Sequence, residues 1–203
     1  MKSPQKRVVL IVILIAAVLL AVFPGRRAVR EYRFQSALAD WAESSGTNAE
    51  HISVCLDMMR DLIDRAVDAE TVTGQRDCLL ALAYWTQDCA DSLGTVQTYV
   101  RYFETCAGTT VRDESGDAVS WTRQGLLRLN EALGPYITGE AEGDDGFREA
   151  LLQAKAELLW LRELWDSAFT GELSGQEFAG AFHQVFGDQA AFADFLTDPL
   201  LAA

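Results

Sequence analysis

Four cysteines, at positions 55, 78, 89 and 106, are the side chains of this 203-residue chain best suited by type and spacing to chemistry. Thiols form disulfides, hold soft metal ions and act as nucleophiles. Each of the four falls on the apolar face of a helical pattern. If the helices carrying Cys55 and Cys89 fold back on each other near residue 72, mirror positions sum to about 144 and the two lie opposite one another. Cys55–Cys89 is therefore the one disulfide we expect, and it requires a domain outside the cytoplasm. Cys78 and Cys106 share one helix, roughly 42 Å apart, beyond disulfide reach; both should be free and buried. All four also fit the plainer reading of small core hydrophobes. There is no Cys-x-x-Cys pair, and neither His51 nor His183 is placed to complete a zinc site, so no metal and no cofactor are expected.

The remaining constellations are weaker. No His-Glu-x-x-His, no paired Glu-x-x-His, no Gly-x-Ser-x-Gly, no P-loop and no dinucleotide fingerprint occurs. Asp166–Glu177, DSAFTGELSGQE, resembles a twelve-residue calcium loop at its first, sixth, eighth, ninth and twelfth positions. It departs where Ala168 and Thr170 replace ligands, and a helix end followed by a capping box explains the same letters. The carboxylate groups at Asp113, Glu114 and Asp117 and at Asp144-Asp145 sit in connections. Trp160 and Trp165, five apart, cannot share one narrow stripe, so one of them is a candidate exposed anchor for a partner.

The elements that position these residues are all helical. Phe34, Leu38 and Trp41 mark a juxtamembrane helix within residues 26–46. Thr47-Asn-Ala-Glu50 reads as a capping box opening a helix with Ile52, Cys55, Leu56, Met59, Leu62, Ile63 and Ala66 on one face. A turn near Thr71–Gly74 leads to a long helix of roughly 33 residues whose apolar stripe runs from Cys78 to Ala107, with Gly94 inside it as a tolerated residue or a bend. Residues 109–117 read as a connection. The next helix carries Val119, Thr122, Leu126, Leu129 and Leu133 and is expected to stop at Gly134-Pro135. After an acidic, Gly-rich linker, Leu151 to Ala168 form a fifth helix, Phe178 to Phe186 a short aromatic one, and Phe192, Phe195 and Leu196 close the fold. No period-two strand is present. The fold class is all-α: a transmembrane helix followed by an antiparallel bundle over residues 47–203.

Val8–Phe23 carries sixteen residues without a polar side chain. Sixteen residues span roughly 24 Å, and flanking Lys6, Arg7, Arg26 and Arg27 can snorkel to cover a core of about 30 Å. No A-x-A-like site follows the run, because Ile15, Leu19 and Arg26 occupy the positions that would need small residues. We expect an uncleaved single-pass anchor over residues 8–25 behind a short cytoplasmic tail of residues 1–7. A count of basic residues alone would put the following segment inside. The Met-Lys-x-x-x-Lys-Arg start has instead the layout of an export signal, and on that layout the bulk of the chain is extracytoplasmic.

Charge divides sharply. Seven Lys/Arg against one Glu give residues 1–33 a net +6, so the formal total of −13 leaves −19 on residues 34–203. Such a domain repels nucleic acid. The 49% hydrophobic content argues against disorder. The layout, a short anchor and an acidic helical domain, resembles that of bacterial sensor ectodomains and cell-envelope assembly proteins. The expected function is a non-enzymatic interaction or assembly protein at the cell envelope, with the membrane and a protein as partners. The alternative is a ligand-sensing helical ectodomain that signals through a membrane partner. An enzyme ranks last, for want of a nucleophile, base or metal set.

Overall fold

The computed structural model describes residues 47–107 and 114–197, apart from 172 and 174. The chain divides into two units, residues 1–40 and 41–203, and every described residue belongs to the second. The expected tail, the anchor over 8–25 and the juxtamembrane helix lie outside the described residues. Among those described, no helix is long and apolar enough to cross a membrane, and no strand occurs.

Five α-helices and a 3-10 turn occur among the described residues. We label them α1 (residues 47–67), α2 (Val72–Ala107), α3 (Glu114–Thr138), α4 (Asp145–Ala168) and α5 (Gly175–Phe186), with the 3-10 turn at Gln189–Phe192. Each long helix buries the stripe its periodicity marks. On α1 that stripe is Ile52, Cys55, Leu56, Met59, Leu62, Ile63 and Ala66, and on α4 it is Leu151, Ala154, Leu158, Leu161 and Trp165. The buried hydroxyls of Thr86 and Thr122 donate to the carbonyls of Leu82 and Ala118 one turn back, so neither is left unsatisfied.

Cross-helix contacts fix the register. Gln75 Nε2 donates to Ala66 O, closing α1 against α2. Arg123 Nε donates to Ala90 O and Gln97 Nε2 to Gly116 O, which sets α2 and α3 antiparallel. Tyr136 on α3 stacks on Phe147 on α4 with centroids 3.7 Å apart. Finally Lys155 Nζ meets Asp64 and Arg162 Nη2 meets Asp57 at 3.0 Å, so α4 returns alongside α1. Seven residues back on α1 match seven forward on α4, two turns in each. α5 packs against α2, α3 and α4.

Three boundaries differ from those read in the sequence. α2 begins at Val72, inside the expected Thr71–Gly74 turn, because the turn is tighter and Thr71 O accepts from Gln75 N. α3 starts at Glu114, within the expected connection. It also runs through Pro135 to Thr138. Proline removes one helix hydrogen bond and crowds the turn before it; here its carbonyl gathers the N–H groups of Gly139, Glu140 and Ala141, while Tyr136 is held by Phe147. Asp144 caps α4, its side chain accepting from Phe147 N at 2.8 Å.

Gly94 is a packing position rather than a bend. An added Cβ would lie 2.9 Å from the Arg123 guanidinium, which crosses α2 there to reach Ala90. Gly125 on α3 is tighter still, with a Cβ only 2.5 Å from the Phe195 carbonyl oxygen. Both glycines let a neighbouring element approach closely.

Candidate functional site

The seam between α1 and α2 gathers the cysteine chemistry. His51 and Cys55 are one turn apart on α1 and so share a face; Asp88 and Cys89 are consecutive on α2. His51 Nε2 lies 2.7 Å from Asp88 Oδ2, its N–H donating to the carboxylate. The Cys55 thiol points at the same oxygen from 3.8 Å. One donor atom from each of His51, Cys55 and Asp88 lies within 4.8 Å of the others. Cys89 neighbours Cys55 across the seam but is not one of these three.

Cys55 and Cys89, the expected disulfide partners, are thus brought together, both fully buried and both as free thiols. The hydrogen bond with Cys55, then burial, push the Cys89 thiol well above its usual range. Asp88 stands between His51 and Cys55 rather than behind the histidine. That order does not build a nucleophile, which needs a base to take the thiol proton and a carboxylate behind that base. Cys78 is buried and free, as expected; the Cys106 side chain lies outside the described residues. Trp85 flanks the cluster, its ring centroid 6.2 Å from that of His51, and Tyr84 abuts Trp85 edge-on.

The two candidate anchor tryptophans separate cleanly. Trp165 is fully buried, its indole N–H donating to Ala49 O at 3.1 Å and its ring stacked on Phe169. It is a core residue and not a partner anchor. Trp160 is half-buried and borders an open groove of about 470 Å³ between α4 and the C-terminal turn. Gln153, Ala156 and Glu157 on α4 face Ala191, Asp194 and Phe195 across it. Phe192 and Phe195 hold the indole from behind, with centroids 5.0 and 6.3 Å away. Glu157 accepts from Leu196 N, which pins the C-terminal turn to α4.

His183 on α5 pairs with Glu104 on α2, and its ring packs edge-on against Phe182. The calcium-loop likeness dissolves in the fold. Asp166 is still helical and pairs with Arg162, Ala168 is buried at the end of α4, and Phe169 N donates to Trp165 O. His51 is the residue that sequence reasoning missed. One signal was present: it stands four before Cys55 and so shares that face of α1. No known family matches this chain, and neither a curated protein nor a solved structure resembles it significantly.

Proposed function

We propose that this chain is a single-pass, membrane-anchored helical interaction protein of the cell envelope, non-enzymatic, whose bundle holds a basic segment of a partner. The anchor rests on the apolar run Val8–Phe23. The observation that carries the reading is the Trp160 groove. An indole backed by Phe192 and Phe195 but left half open is the kind of rigid apolar contact that dominates protein interfaces. Glu157 and Asp194 border it, and residues 34–203 carry a net −19. Charge complementarity therefore selects a Lys/Arg-bearing partner and speeds its encounter.

A photo-crosslinker placed at exposed Ala156 in the full chain, in native membranes, tests this. The expected result is one discrete product whose linked peptide is rich in Lys and Arg, with a yield that collapses in Trp160→Ala. Absence of a product, or linkage only to a second copy of the chain, overturns it. Orientation is checked separately through a tag after Ala203, which protease should remove from intact cells if the bundle is extracytoplasmic.

A further inference from the structure

We propose that His51, Cys55 and Asp88 form a binding site for one divalent cation of the zinc class. Three ligand-type side chains converge from two helices at one level of the seam, their donor atoms within 4.8 Å of one another, and the inference is independent of the Trp160 groove. One imidazole, one thiol and one carboxylate, with solvent in the fourth position, match what a borderline-soft ion takes in tetrahedral coordination.

The geometry requires little movement. Around a tetrahedral zinc, neighbouring donor atoms stand roughly 3.3–3.8 Å apart, from metal–ligand bonds of about 2.0–2.3 Å. His51 Nε2 and Asp88 Oδ2, at 2.7 Å, need to spread slightly, while Cys55 draws inward from 3.8 Å. The hydrogen bonds that hold the cluster are those an ion would replace, since Asp88 Oδ2 already collects both the imidazole and the thiol. Access comes from the solvent side, where the His51 and Asp88 side chains are 39% and 31% exposed, while both sulfurs lie behind them in the core.

The charges balance. The Cys55 thiolate and the Asp88 carboxylate together offset the two charges of a divalent ion, so binding releases the Cys55 proton to solvent and leaves the loaded site neutral. A Cys55–Cys89 disulfide would consume the sulfur ligand, and the two states exclude each other.

Cobalt(II), titrated into the reduced, metal-free full chain in detergent, is the probe. One ion per chain is expected, with thiolate-to-cobalt charge-transfer absorption in the near ultraviolet and tetrahedral bands in the visible. Cys55→Ser should remove charge-transfer intensity and weaken binding by about 100-fold or more; His51→Gln and Asp88→Asn should each cost roughly 10–100-fold, at least what loss of an outer-shell partner costs. A Cys78→Ser, Cys106→Ser chain should bind as wild type. Absence of thiolate absorption in the wild-type chain overturns the proposal. So does affinity indifferent to His51 and Asp88, or recovery of Cys55 and Cys89 as a disulfide from thiol-trapped membranes.

Discussion

Along the α1–α2 seam the buried side chains include two thiols set beside an imidazole and a carboxylate. Around the C-terminal half of α4 they are aromatic. Trp165 touches Phe169 and Phe186, Phe186 touches Phe182 and Phe192, and Phe192 touches Trp160 and Phe195. Rings bury large areas and interlock, so that region has volume to lose when any one is cut. Thiols bury little and can exchange partners. The aromatic region holds the bundle together, and the seam is where donor atoms can be kept without the fold depending on them. The two histidine–carboxylate pairs make the same point. His183–Glu104 sits against Phe182 and ties α5 to α2, whereas His51–Asp88 has sulfur beside it and therefore a ligand set.

The sharpest way to break this contrast is at its aromatic end. Trp165→Ala should cost about 3–5 kcal/mol, measured by urea unfolding of the full chain. A loss nearer that of an ordinary surface change would show that the rings do not carry the stability. The seam should respond instead to pH. Because the folded state keeps the Cys89 proton where the unfolded thiol gives it up, stability is complete below the unfolded value of about 8.5 and falls above it. The slope should reach at most about 1.4 kcal/mol per pH unit, in reduced and metal-free protein. Cys89→Ala should flatten the fall, and a slope unchanged by that substitution would assign it elsewhere. The smallest effect belongs to the polar edge joining the two regions. Lys155→Met breaks an ion pair with a half-exposed Asp64 and should change stability by no more than about 1 kcal/mol. A larger loss in the same unfolding measurement would make that edge a third structural region.

Much of this was legible in the chain because burial follows periodicity. The stripes of α1, α2 and α4 were written in their apolar spacing, and folding two stripes back on each other sufficed to set Cys55 against Cys89. What was hidden depends on residues distant in sequence. Gly94 is explained only by Arg123, and Gly125 only by Phe195. Pro135 looked like a stop because local rules weigh its missing donor, not the three N–H groups its carbonyl accepts. Trp160 and Trp165 could not be ranked from α4 alone, since the C-terminal turn decides which face is covered. His51 was overlooked because a lone histidine after a glutamate suggests a surface, and its carboxylate partner lies 37 residues away.

The return of α4 to α1 also sets an order of assembly. α1 is flanked by α2, which follows it directly, and by α4, whose Arg162 lies 105 residues from its partner Asp57. As the chain leaves the ribosome, α1 can be covered on one side early, but its other flank stays bare until α4 has emerged. Closing so long a loop is slow, and an apolar flank left open in the interval invites association with other chains. Asp57, Asp64 and their neighbours along that flank keep it charged at the margin while it waits.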